Sequence, residues 1–385
     1  MTVSESADPR SELFEGLEDA VERRVFPGCV ALVWRDGETV YHEAHGRLAS
    51  HPGSVAADVV VERDSVYDLA SLTKVLCTST LAAIAVGRGL LRLDDPVPAP
   101  FDRSCPGARL SDLLEHCAGL EAHREYFVDV PAGDRETLLK MVSETPPAYP
   151  LRERSVYSDL GFIILGTWLE RIFDDTLDRA FERYVAQPSG YGGEWIEALR
   201  FRPIEDALIA PDEARRIAPT EVYDAGLHES RAEGLPSWFG VRSAKRRLAH
   251  GEVHDDNAYV MGGVAGHAGL FGNAGGVLAV ARAWLDASLP GLESAQSARF
   301  WTKSRVPGSS RRLGWDGQSV DGSGSTGGVL EHGAVGHTGY TGTSLWIEPE
   351  RRAVYVLLSN RVHPTRHGDG IRATRRWFHQ VARKL

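Results

Sequence analysis

Ser71 and Lys74 stand three residues apart in DLASLTKVLC (68–77), ahead of an apolar run. On a helix this spacing puts both side chains on one face, about 5–6 Å apart at Cβ, so an amine can reach a hydroxyl. A serine hydroxyl becomes a working nucleophile when a neighbouring base takes its proton. Lysine can supply that base, whereas the arginine guanidinium stays protonated in proteins. The chain has five lysines against 38 arginines, so a lysine at this position looks selected for a removable proton. The competing reading is a capping serine followed by a surface lysine, and a four-residue pattern does not separate the two.

Two further clusters carry polar chemistry. RSVYSDLGF places Tyr157, Ser158 and Asp159 at the mouth of an expected helix, and GHTGYTGTSLW places His337, Thr338 and Gly339 ahead of an expected strand. Taken alone, Tyr157 reads as a packed aromatic and His337-Thr338-Gly339 as a turn. HGEVHDD offers His250, His254, Asp255 and Asp256 as metal-ligand types, but it lacks HExxH and reads as a loop, so no metal is expected. His254 is expected to bond internally and His267 to pack beside a cleft. Gly322, Gly324 and Gly327 spell a formal GxGxxG without the preceding strand and following helix a dinucleotide needs. With no GxSxG and no GxxxxGK in the chain, no cofactor is expected.

The elements that must hold these residues follow from periodicity. SELFEGLEDAVERR (11–24) sets Leu13, Phe14, Leu17 and Val21 on one helical face. CVALVWRDGETVYHEAHG reads as two strands around Asp36-Gly37, a hairpin signal. SDLLEHCAGL and SDLGFIILGTWLERIFDD read as helices opened by a capping Ser or Asp, and Asp159 suits the N-cap of a helix beginning near Leu160. TSLWIEPERRAVYVLLSN (343–360) reads as two strands around Pro349-Glu350, followed by the helix IRATRRWFHQVARKL. Strands at both ends with a helical middle predict an α/β (α+β) fold: an antiparallel sheet built from both termini and flanked by helices, with a mainly helical inserted lobe. The expected division is 1–75 with 270–385 as the α/β lobe and 76–269 as the inserted lobe.

At 385 residues two lobes are the expectation. A formal charge of −10 argues against a nucleic-acid surface. The apolar stretch near Val75–Gly87 is too short to span a bilayer, which takes about 20 residues. The start, MTVSESADPRSE, shows neither a basic n-region nor an apolar h-region, and Cys29, Cys77, Cys105 and Cys117 show no CxxC spacing. The expectation is a cytoplasmic protein with no membrane and no nucleic-acid partner; its oligomeric state is not legible.

Taken in order, the SxxK helix, the YxN-like loop and the HTG strand resemble the serine β-lactamase and penicillin-binding-protein-like superfamily, in its class C β-lactamase, D,D-peptidase and esterase branch. LLEHCAGL and GGVAGHAGLFGNAGGVLAVARAW fit the same resemblance. It implies that Ser71 forms an acyl-enzyme, that Lys74 accepts its proton and that Tyr157 relays a proton, with close cations keeping the lysine and phenol pKa values low. It implies an oxyanion hole from the backbone N–H groups of Ser71 and Tyr340. It also implies a substrate-binding rim of Asp159, His337, Thr338 and Gly339, with Arg361 placed to meet a substrate carboxylate.

Two positions depart from the penicillin-active pattern. Asp159 stands where an asparagine is usual; it can hold Lys74, raising that amine's pKa and shifting the base role towards Tyr157. His337 stands where a lysine is usual, which counts against efficient β-lactam hydrolysis. The expected activity is hydrolysis of a small ester or amide, carboxylesterase-type preferred. The alternatives are a muropeptide amidase or D,D-peptidase, a β-lactamase, and an inactive ligand-binding homologue.

Overall fold

The computed structural model describes residues 8–188, 199–204, 209–224, 248–319 and 321–385. Residues 1–7, which carry part of the leader reading, and Val320 of the glycine-rich loop lie outside them.

Among the described residues nine strands form two sheets. The larger uses β1 (Gly28–Arg35), β2 (Glu38–Gly46), β6 (Asp316–Gly317), β7 (Val335–Thr338), β8 (Ser344–Glu348) and β9 (Ala353–Ser359), in the antiparallel order β2-β1-β9-β8-β7-β6. The sheet is therefore built from both ends of the chain, as expected. Its first turn is Asp36-Gly37, both at positive φ (50° and 100°), the pairing that a two-residue type I′ hairpin requires. A small sheet, β3 (Tyr67–Asp68), β4 (Arg200–Phe201) and β5 (Leu270–Gly272), runs in the order β3-β5-β4.

Side chains on a strand alternate between faces, and β1 feeds two cores. Val30, Leu32 and Trp34 join the larger one. Cys29, Ala31 and Val33 join a second core with the first and last helices, α1 (Pro9–Glu22) and α5 (Ile371–Ala382). In α1, Leu13 and Leu17 are buried as expected, whereas Phe14 stays half-exposed and packs edge-on to His45, 4.9 Å between ring centroids. The larger core also takes the helix α2, whose wide first turns span Lys74–Ser79 and continue through Thr80–Gly87. With it pack α3 (Asp159–Phe173) and α4 (Ala274–Asp286). Shorter helices, among them Leu110–Leu114, Arg135–Glu144 and Asp256–Val260, fill out the middle of the chain.

The N-cap of α3 is Ser158, whose hydroxyl accepts from the Gly161 N–H at 3.3 Å; Asp159 is the first helical residue and its carboxylate is turned elsewhere. This corrects the expected capping role of Asp159. The four cysteines are buried and free. Among the described residues no helix is long and apolar enough to cross a membrane.

Candidate active site

Ser71 sits in the turn that opens α2, held by a tight local network. Ala70 adopts φ 47°, a left-handed conformation costing a non-glycine residue about 1–2 kcal/mol. Its N–H donates to Asp68 Oδ1 at 2.8 Å, and the His254 N–H donates to Asp68 Oδ2 at 2.6 Å. From the loop after β7, the Thr341 hydroxyl donates to the Asp68 carbonyl (2.7 Å) and the Thr343 hydroxyl to the Leu69 carbonyl (3.0 Å). The nucleophile turn is thus tied to the edge of the large sheet. Gly339 permits that approach: a Cβ there would fall 2.7 Å from the Leu69 carbonyl and 2.1 Å from Thr343 Oγ1.

Lys74 Nζ lies 3.0 Å from Ser71 Oγ and donates also to the His267 carbonyl at 3.1 Å. The Tyr157 hydroxyl, arriving from the residue ahead of the α3 cap, donates to Ser71 Oγ at 2.7 Å. The three groups singled out by spacing therefore converge. Lys74 also forms a 2.8 Å ion pair with Asp159, whose other oxygen faces His123 Nδ1 at 3.3 Å.

This ion pair overturns the expectation of low lysine and phenol pKa values. Burial by itself would lower Lys74, but the Asp159 carboxylate and Tyr157 outweigh it and hold the amine above the ordinary lysine range. Burial pushes the Tyr157 phenol up, and the opposing pull of Lys74 does not cancel it. Burial likewise acts to raise Asp159, yet Lys74 and His123 bring its carboxyl well below the usual range. At rest the site holds an ammonium, a carboxylate and a neutral phenol.

The two N–H groups assigned to the oxyanion hole, those of Ser71 and Tyr340, make no hydrogen bond among the described residues. Both residues line a cleft of about 870 Å³ with Tyr157, Asp159, His337, Thr338, Gly339 and Arg361, a size that suits a small ligand. Arg361 stacks on the Tyr340 ring, 4.5 Å from its centroid, and donates to the carbonyls of Tyr340 (2.8 Å) and Arg366 (3.1 Å).

His337 is buried, and its Nδ1 lies 2.9 Å from the Thr338 carbonyl. A carbonyl only accepts, so Nδ1 carries the proton and Nε2 is a bare acceptor. Burial, reinforced by Lys74 and Arg311, lowers its pKa to about 3. The group standing for the usual lysine is therefore neutral and cannot offer a charge to a carboxylate.

Sequence reasoning missed three neighbours. His116 packs on Tyr157 (4.9 Å between centroids) and accepts the Ser158 N–H at Nδ1 (3.0 Å); burial and the cations Arg311 and Lys74 hold it neutral. Arg311 lies over the Tyr157 ring at 5.0 Å, and His123 completes the Asp159 pair. His116 lies in LLEHCAGL, a stretch that fits the resemblance but gave it no role, and Arg311 and His123 belong to none of the stretches singled out; tertiary contact reveals all three. The two histidines weighed as ligands are engaged, His254 Nε2 with Glu221 at 2.9 Å and His250 Nε2 with the Ile217 carbonyl at 2.9 Å, while His267 is buried with its Nε2 2.9 Å from Asp255. Among the described residues no three His, Cys, Asp or Glu side chains gather as a metal cluster.

Comparison with known proteins gives consistent results. The beta-lactamase family profile matches residues 14–376. A protein of Escherichia coli O157:H7 named as a D-alanyl-D-alanine carboxypeptidase is 31% identical over 363 residues, covering 88% of this chain and 79% of that one. Among solved structures, simvastatin synthase from Aspergillus terreus superposes with a TM-score of 0.68 at 19% identity, covering 98% of each chain. A hydrolase with promiscuous acyltransferase activity gives 0.67 at 19% identity, covering 96% of this chain and 98% of its own. At such identities the two structures bear on the fold alone.

Proposed function

The chain belongs to the beta-lactamase family and is a serine hydrolase, and we propose that it cleaves small esters or amides through an acyl-enzyme on Ser71, with carboxylic esters preferred. The observation that carries this reading is the convergence of Lys74 Nζ and the Tyr157 hydroxyl, at 3.0 and 2.7 Å, on one serine oxygen at the cleft.

Ser71 Oγ accepts from both partners at rest, so the reactive form carries one proton fewer across Lys74 and Tyr157. With Lys74 held as an ammonium by Asp159, Tyr157 is the group that takes the serine proton as Oγ attacks the substrate carbonyl. Before that transfer Tyr157 is the phenolate of the reactive form, stabilised by the Lys74 ammonium, and on taking the proton it becomes a neutral phenol. The carbonyl oxygen, becoming an oxyanion, is met by the N–H groups of Ser71 and Tyr340. Tyr157 then returns the proton to the departing alcohol, and a water activated by the same phenolate releases the acid.

Esters fit this site better than amides because an alkoxide leaves with less protonation than an amine, and a phenol with a raised pKa is a weak acid. A neutral His337 also places β-lactam hydrolysis behind the other activities. A D,D-peptidase reading is favoured by the name that the Escherichia coli and Salmonella relatives share and by Arg311 and Arg361 in the cleft wall, which suit a terminal carboxylate. The site then lies at the seam between the 1–75/270–385 lobe and the 76–269 lobe, and the four free thiols suit a cytoplasmic location. The test is a panel of p-nitrophenyl esters, D-alanyl-D-alanine peptides and nitrocefin, run beside Ser71→Ala. Ester turnover abolished in that variant supports the reading; peptide turnover exceeding ester turnover would move the assignment to the peptidase.

A further inference from the structure

Arg375, on the inner face of α5, is a buried cation that the chemistry above leaves unused. Its Nη2 donates to the carbonyls of Gly339 (2.7 Å) and Thr343 (2.8 Å), while its Nε has no partner. The side chain is 7% exposed, and among the described residues it pairs with no carboxylate. An unpaired guanidinium is expensive to bury. Burial, with repulsion from Arg361 and Arg372, lowers its pKa to about 9, which leaves it charged at neutral pH.

Satisfying the two carbonyls does not explain that cost. The Gly339 carbonyl already accepts from the Gly342 N–H at 3.2 Å, and the Thr343 carbonyl from the Gly339 N–H at 2.7 Å. What Arg375 adds is a charge on two peptide groups, and one of them carries the Tyr340 N–H. The Gly339 carbonyl and the Tyr340 N–H belong to the same planar unit and, in a trans peptide, point in opposite directions. A cation gripping the oxygen fixes the plane and draws electron density from the nitrogen side. The N–H becomes a stronger donor, as in any polarised hydrogen-bond chain.

We propose that Arg375 is a positioning residue for the oxyanion hole: through the Gly339 carbonyl it aims and polarises the Tyr340 N–H. The proposal rests on the reading of Ser71 as the acylated nucleophile with Tyr340 as second oxyanion donor. It also gives α5 a part in the chemistry, since Arg375 reaches from this C-terminal helix to the cleft, which Ile371 and Arg372 of the same helix also line.

The test uses the full chain with p-nitrophenyl acetate as substrate and phenylboronic acid as probe. The boronate adds to a serine oxygen as a tetrahedral anion and so reads the oxyanion hole directly. Arg375→Met should lower kcat and boronate affinity each by about tenfold, less than the 10²–10³ for deleting a donor outright. KM should stay within about twofold, because the planar ester gains little from that N–H. Arg375→Lys, which keeps a charged donor, should recover most of both losses. Circular dichroism and the thermal midpoint verify folding. If the methionine variant does not fold, Arg375→Gln replaces it, a neutral donor expected to fall below Arg375→Lys in boronate affinity. Wild-type kcat and boronate affinity in the folded neutral variant, or a loss confined to KM, overturns the proposal. Ser71→Ala separates the two claims: turnover surviving there refutes the nucleophile, whereas turnover lost there with Arg375→Met unaffected refutes only the role of Arg375.

Discussion

Replacing Asp159 by asparagine should speed the enzyme at neutral pH. Lys74 and Tyr157 are both held above their ordinary ranges, and the reactive site needs one proton fewer across that coupled pair. Below the point where the pair loses that proton, kcat/KM should rise tenfold per pH unit, about 100-fold between pH 7 and 9 for a one-proton step. The ion pair at 2.8 Å is worth about 6 kcal/mol at an effective dielectric constant near 20. An amide recovers part of it through hydrogen bonding. If a quarter of the attraction is lost, about 1.5 kcal/mol, the population of the reactive form at pH 7 rises about tenfold. The sign follows from the carboxylate: its charge favours the ammonium, so removing it moves the alkaline limb towards neutrality. The assay is the initial rate with p-nitrophenyl acetate from pH 6 to 10 at constant ionic strength, less spontaneous hydrolysis, with the thermal midpoint as folding control. An unchanged limb in folded Asp159→Asn, or a wild-type profile flat from pH 7 to 9, would refute the reasoning.

Lys74→Arg keeps the charge beside Asp159 but brings a longer, planar group that cannot place a compact ammonium between Ser71 and Tyr157; steady-state assays should show kcat down by about 10²–10³, and near-wild-type turnover would show that a lysine is not needed there. Glu221, buried against His254 and Arg366, is raised by burial but pulled further down by these partners, to a pKa of about 2. Its contribution is therefore complete above about pH 4.5, its unfolded value, and is lost as pH falls through about 2. In urea unfolding, Glu221→Gln should cost about 3–5 kcal/mol at pH 7, and its deficit should shrink steadily between about pH 4.5 and 2; a pH-independent deficit contradicts the assignment.

The fold was legible where pattern and local chemistry agree. The apolar, β-branched runs CVALVWR and AVYVLLS and the Asp36-Gly37 turn mark the sheet from both termini, and the longer apolar run behind Lys74 marks a buried helix. Ser71, Lys74 and Tyr157 were legible because a one-turn spacing and motif order survive without coordinates. The proton states were legible only as alternatives, since they depend on whether Asp159 faces solvent or holds Lys74; the structure has it on Lys74, with Ser158 taking the cap. Arg375 lies in IRATRRWFHQVARKL, whose residues give no sign that a single arginine turns inward. His116 and Arg311 are set against Tyr157 by segments 41 and 154 residues away in sequence, a proximity that no local pattern encodes.

The central claim is a covalent intermediate at Ser71, and intact-mass spectrometry after rapid acid quench tests it most directly. Mixed with a p-nitrophenyl ester, the protein should gain one acyl mass, mapped by proteolysis to the peptide carrying DLASLTK, while Ser71→Ala gains none and does not turn over. An adduct on another residue, or undiminished turnover in Ser71→Ala, would contradict it.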